Sequence, residues 1–306
     1  MKNNVRYLRA IISLSLLIIF IFLLYYFFHF LYAIYNHIPT VNDEREKVTM
    51  STNEIMNTRF PAKNFFFGER AEMGEAIYQN DILKVDTLLK QGINVDQLSE
   101  NNDGFTYLMY AIFLEDRQKI TRLLLEAGAN PNIVSDVDFP RYQAEGISSA
   151  TASGRVNYLP LYFETQIAPI EDVHLLLKYG ADPNQILEDN NQQYTVLLSA
   201  VRSMAILDRY ESDLDSINRI KLLLEYGLDI KKQTQIAKIT NPICGAYNSS
   251  HIDTVLFILD NGGDATACGE KLVAWIDKDL QRKINPAKLL DKKRVLLERL
   301  KKLGYE

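Results

Sequence analysis

Five leucine-rich stretches, each followed by two further residues and a glycine, constrain this chain more than any other feature. They read VDTLLKQG to Gly92, ITRLLLEAGANPN around Gly128, VHLLLKYGADPN around Gly180, IKLLLEYGLDI around Gly227 and VLFILDNGGDA around Gly262. Self-similarity on this scale denotes a stack of small units, none of which can bury its apolar face alone. A run such as Leu123-Leu124-Leu125 makes a short helix that is apolar on two faces and needs a neighbour on each side. The glycine takes the left-handed position that ends the helix, where a Cβ costs about 1 kcal/mol. Pro131 and Pro183 follow three residues later, where the helix can no longer continue.

Upstream of each glycine lies the other half of the unit: DGFTYLMYA (Asp103 to Ala111), YLPLYF (Tyr158 to Phe163), YTVLLSA (Tyr194 to Ala200) and NPICGA (Asn241 to Ala246). The pattern resembles the ankyrin repeat, whose consensus runs D-G-x-T-P-L-H-x-A-A, a short turn, then E-I-V-x-L-L-L-x-x-G-A-D-V-N. Leu159 to Gly180 and Asn241 to Gly262 both reproduce the consensus distance of 21 residues, and Thr106 to Gly128 is 22. Ala76, Ala111, Ala200 and Ala246 fall on the small-residue site, and Glu164 stands there in the third unit. The resemblance covers about residues 71–306 and implies an all-α ankyrin-repeat solenoid, helix-turn-helix units joined by finger loops. Repeats are expected at about 71–99, 103–135, 157–190, 193–233 and 239–268, with a C-terminal cap at 285–306 whose lysines and arginines face solvent. Two departures are large: roughly eleven extra residues around Leu207 to Ile217, and a long finger from Ile133 to Asn157.

The N-terminus carries a second strong signal. From Ala10 to Asn42 there is no Asp, Glu, Lys or Arg, and Leu14 to Tyr35 is almost wholly aliphatic or aromatic. About 20 apolar helical residues span a bilayer core, so residues 10–36 read as a single transmembrane helix. A cleaved secretory signal would have a shorter core and a small-x-small site, which this bulky segment lacks. Lys2, Arg6 and Arg9 precede the span and Asp43, Glu44 and Glu46 follow it. Residues 1–9 are therefore expected in the cytoplasm, 37–64 as a tether, and 65–306 as an outward-facing repeat domain. In a bacterium that is the periplasm, behind a single-pass inner-membrane anchor. Phe65, Phe66 and Phe67 are expected to pack on the first repeat.

The net charge is −5, and outside the span and its basic flank 31 basic residues stand against 39 acidic ones, a net −8. That balance disfavours nucleic acid, which needs a basic stripe, and permits attraction to a basic protein. No His/Cys/Asp/Glu cluster has zinc spacing, Gly146-Ile147-Ser148-Ser149-Ala150 does not complete G-x-S-x-G, and phosphate-cradling glycine motifs are absent. No catalytic, cofactor or metal site and no small-molecule substrate are expected, so the chain reads as a non-enzyme. His251 falls at the inter-helix turn and reads as structural; His174 reads as a surface residue. Cys244 and Cys268 are compatible either with a disulfide or with free thiols.

By the resemblance, a partner would bind the concave face built from finger tips and the exposed side of each first helix. Residue by residue this selects Tyr110, Phe113, Phe163, Gln166, Ser199, Arg202 and Asn248 on the helices, and Glu188, Asp189, Lys231 and Lys232 on fingers. The long finger adds Asp136, Asp138, Phe139, Arg141 and Tyr142. Tyr110 and Phe163 would serve as aromatic anchors, which interfaces favour, or alternatively pack under the long finger.

An outward-facing ankyrin domain on one anchor resembles bacterial immunity proteins that neutralise antibacterial effectors, notably phospholipases delivered by type VI secretion. The resemblance implies a secreted, phospholipase-like effector as partner and inhibition as the outcome. Two other readings stay open: a periplasmic scaffold or accessory protein for an envelope or peroxide-defence enzyme, and a eukaryotic-type membrane adaptor.

Overall fold

Each leucine run forms the second helix of an antiparallel pair, and the shorter apolar segment before it forms the first. In this computed structural model the described residues are 60–99, 104–114, 116–139, 154–189, 192–202, 212–236, 241–282 and 285–306, all within the unit Met56–Glu306. The first helices are α1 (Ala71–Tyr78), α3 (Tyr107–Phe113), α5 (Pro160–Ile167), α7 (Val196–Val201) and α10 (Pro242–Asn248). The second helices are α2 (Ile82–Lys90), α4 (Gln118–Glu126), α6 (Ile170–Lys178), α8 (Ser212–Glu225) and α11 (Ile252–Asp260). First helices pack on first helices in one column, from α1 through α3, α5 and α7 to α10; second helices form a parallel column. The small-residue site is where the columns meet, and Ala76, Ala111, Ala200 and Ala246 are all buried there.

Local chemistry explains the element ends. The Thr106 and Thr195 hydroxyls accept from the amides of Met109 (2.9 Å) and Leu198 (3.1 Å), and the Asn241 side chain accepts from Ile243 (2.9 Å). Each cap satisfies an amide the helix leaves open. Leu159 cannot cap, but Pro160 at the first helical position has no amide to satisfy. Gly128 closes α4 at φ +92°.

The interhelical turns are held by buried cations from the neighbouring repeat. Arg117 donates to the carbonyls of Ile77 (2.8 Å) and Tyr78 (2.7 Å), at the end of α1. Arg219, 1% exposed, pairs with Asp215 at 2.7 Å and donates to Ala168 O (2.7 Å) and Thr165 O (3.3 Å) at the end of α5. His251 stands 3.2 Å from Val201 O, the structural place expected for it. An arginine at a helix C-terminus, such as Arg117 or Arg219, meets unsatisfied carbonyls and the negative end of the dipole.

A side-chain ladder links the finger bases. Asn132 donates to Gly180 O (2.9 Å) and accepts from Asp182 N (2.8 Å); Asn184 repeats this with Gly227 O (2.8 Å) and Asp229 N (2.7 Å). This is the physical content of the N-P-N and D-P-N motifs. Asn184→Ala is expected to cost about 1–2 kcal/mol, read as a lower urea midpoint with an unchanged slope.

The structure departs from an all-α solenoid at its fingers. The base of the long finger is an antiparallel hairpin, β1 (Ser135–Phe139) with β2 (Gly154–Tyr158), and the next finger is another, β3 (Ile186–Asp189) with β4 (Gln192–Thr195). Alternation such as Ser135-Asp136-Val137, with Ser135 and Val137 buried, suits a half-buried strand. Residues 140–153 lie outside the described residues. After the fourth repeat the finger is helical, α9 (Ile230–Ile236), because Asp229 accepts from Lys232 N (2.9 Å) and starts a turn. Lys231 and Lys232 are thus exposed on a helix rather than at a loop tip.

Other boundaries also shift. The C-terminal pair begins at α12 (Gly269–Arg282), which packs on α13 (Ala287–Lys302), so a cap starting at 285 catches only its second helix. Gly269 leaves room for the Tyr305 ring, which a Cβ would meet at 2.5 Å. Part of the insertion in the fourth repeat extends α8: Asp213 accepts from Thr254 N (2.9 Å) at the start of α11. The packed domain begins by Phe60 rather than 65. Phe65 and Phe66 are buried as expected, but Phe67 is 70% exposed, because Phe66 alone fills the space left over Gly74. No helix among the described residues is long and apolar enough to cross a membrane; residues 1–9, 10–36 and most of the 37–64 tether lie outside them.

Candidate protein-binding face

An aromatic strip crosses the first-helix side of the stack and ends beneath the hairpins. It starts in the core. Tyr110 on α3 is fully buried, 4.8 Å edge-on to Phe66 and 5.4 Å from Phe105, with its hydroxyl donating to Phe60 O at 2.7 Å. Burial holds that hydroxyl far above the ordinary tyrosine range. Tyr110 is therefore not a surface anchor. The segment from Phe60 to Phe66 covers the position that an ankyrin repeat would leave open.

Phe113, one turn later, is half-buried and meets Phe60 (4.9 Å), Phe105 (5.3 Å), Tyr158 (5.6 Å) and Phe163 (6.0 Å). Phe163 is half-buried and edge-on to Tyr158 at 5.6 Å. Phe163 thus packs at the base of the long finger and keeps a solvent-facing surface. Tyr162 continues the strip, edge-on to Tyr194 at 6.2 Å, and its hydroxyl is pushed up by burial. Tyr162 O accepts from the Ser199 hydroxyl at 2.5 Å, which leaves Ser199 buried rather than on the face.

The hairpins set acidic residues beside this strip. Asp136 lies on β1, where its carbonyl accepts from Gly104 N at 2.6 Å. Asp138 and Phe139 stand opposite Arg155 and Gly154 in the register. Glu188 is exposed on β3, accepts from Gln193 at 3.0 Å, and its carbonyl accepts from Asn157 at 2.8 Å, tying the two hairpins together. Asp189 faces Gln192 at the hairpin end. Gln166 is half-buried; Arg202 is exposed after α7, and Asn248 is exposed at the end of α10. Arg141 and Tyr142 lie outside the described residues. His174 is on the surface, 3.0 Å from the Tyr226 hydroxyl.

Sequence reasoning missed Tyr158 and Tyr194. The signal was present: Phe105, Tyr158 and Tyr194 each precede the residue that starts a first helix, the x of G-x-T, so an aromatic recurs there in three successive repeats. Among the described residues, no group of three or more His, Cys, Asp or Glu could hold a metal ion.

Residues 103–136 match the family model for the ankyrin repeat. No curated protein matches the chain. Among solved structures, an ankyrin repeat domain from Acinetobacter baumannii AYE is similar at 20% identity, covering 73% of this chain and 95% of that one, with a TM-score of 0.44. The described residues are mostly helical, and the segment 103–136 matches the ankyrin repeat, a unit that generally mediates protein–protein interaction.

Proposed function

We propose that this chain is a membrane-anchored, outward-facing inhibitor that binds a secreted, phospholipase-like antibacterial effector and blocks its access to substrate. The observation that carries the protein-binding part is the half-buried strip Phe113, Tyr158 and Phe163 beside the acidic hairpins. Aromatic groups with a rigid backing suit an interface anchor, while Asp136, Asp138, Glu188 and Asp189 suit steering of a basic partner. Anchoring and orientation rest on the apolar stretch 10–36 and its basic flank. A lipase that attacks a membrane is met there by an inhibitor whose local concentration the anchor raises. The domain itself is proposed to be catalytically inert.

Phe163→Ala and Tyr158→Ala are expected to weaken protection by roughly 30-fold, since truncating an interface anchor costs about 2 kcal/mol or more, while circular dichroism stays helical. The combined Asp136→Asn and Asp138→Asn change is expected to slow association chiefly at low salt. The test is survival of a strain lacking this gene against its parent during contact with sibling cells. Equal survival, with no neighbouring effector bound by the purified protein, would sink the inhibitor reading.

A further inference from the structure

A cleft of about 710 Å³ opens between α10 and the start of α12, and both cysteines of the chain line it, together with Asn248, Thr266, Lys271 and Trp275. Cys244 is half-buried; Cys268 is 3% exposed, with its sulfur 3.6 Å from the Asn241 side-chain oxygen. The Asn241 side-chain oxygen also accepts from Cys244 N at 3.4 Å, so the two cysteines flank one acceptor. They are 24 positions apart in sequence, yet they stand on either side of one side-chain oxygen and line one cleft. We propose that Cys244 and Cys268 form a thiol–disulfide exchange site, with Cys244 the attacking thiol and Cys268 the resolving one, whose oxidation locks repeat five to the C-terminal helix pair.

The asymmetry of the site assigns the roles. Cys244 is half-buried where Cys268 is almost fully buried, so an incoming disulfide meets Cys244 first. Its thiol is held below the ordinary cysteine range by the neighbouring Cys268, with the Lys271 ammonium acting in the same direction. The neighbouring Cys244 and burial push Cys268 up, so it stays protonated until a partner sulfur is beside it. In the first step the Cys244 thiolate attacks one sulfur of an external disulfide, whose S–S bond breaks and releases one thiolate. In the second, Cys268 loses its proton and its sulfur attacks Cys244 in the mixed disulfide, releasing the other external thiolate. Two thiols here are oxidised, one external disulfide is reduced, and the two protons end on the released thiols. Closure requires the two sulfurs to approach to about 2 Å.

The experiment uses the full chain in mild detergent, with oxidised glutathione as the external disulfide. Wild type is expected to lose both free thiols, to carry no retained glutathione, and to weigh less by two hydrogens. The emission of Trp275, the sole tryptophan, should fall, and the melting temperature should rise by roughly 5–10 °C. Cys268→Ser should retain glutathione on residue 244, and Cys244→Ser should leave Cys268 reduced. Two free thiols after oxidation, or glutathione retained by wild type, would overturn the proposal.

Discussion

Tyr110→Ala is expected to lose about 3–5 kcal/mol of stability and to leave a domain that aggregates, not a folded one with a weakened interface. The ring fills a space bounded by Phe65 at 6.1 Å, Phe66 at 4.8 Å and Phe105 at 5.4 Å, and no surrounding element can collapse into it without moving α1 against α3. Tyr110→Phe keeps the ring and removes only the bond to Phe60 O, for about 1–2 kcal/mol. Thermal melts followed by circular dichroism separate the two. A Tyr110→Ala chain that melts within a few degrees of its parent would show that the strip from Phe60 to Phe66 does not cover it.

A pH dependence seated at Glu164 is the other large effect. Four repeats place alanine at this site; here a carboxyl group enters it, and burial pushes its pKa up to about 8, with Asp172 adding to the rise and Arg219 opposing it. The folded state therefore holds the proton more tightly than the unfolded chain. The stabilisation is full below about 4.5, the ordinary value, and is lost as pH rises through about 8. A tenfold difference in proton affinity is worth about 1.4 kcal/mol, so the expected loss over this window is on the order of 3 kcal/mol with the side chain's partial solvent contact allowed for. Glu164→Gln should flatten most of the slope and be the more stable chain at pH 8.5. A smaller slope remains from Asp172, which burial also raises. Equal pH profiles for the two chains would place the carboxyl in solvent.

Much of this architecture is written locally. Thr106, Thr195 and Asn241 mark helix starts, Gly128 and its counterparts mark the ends, and the leucine runs between them have no stable exposed form. The candidate face was only partly legible. Glu188 and Arg202 are exposed as the repeat resemblance implies. Phe163 is placed on the face side but half-sunk, and Tyr110 is misplaced. Tyr158 and Tyr194 were readable as a recurring aromatic before each first helix, but their contact with residues on a neighbouring helix was not.

The difference has one cause. Caps, glycine turns and apolar runs act within a few residues of themselves, so the repeat unit, its period and the order of helices can be read along the chain. Burial of a particular side chain depends on what arrives from elsewhere. Phe60 covers Tyr110 from 50 residues away, Arg219 reaches the Ala168 carbonyl across 51, and Cys244 and Cys268 line one cleft only because α12 packs where it does. The hairpin fingers, the raised proton affinity of Glu164 and the division of the aromatics between core and face emerge only on folding, because each is the sum of contacts that no local pattern encodes.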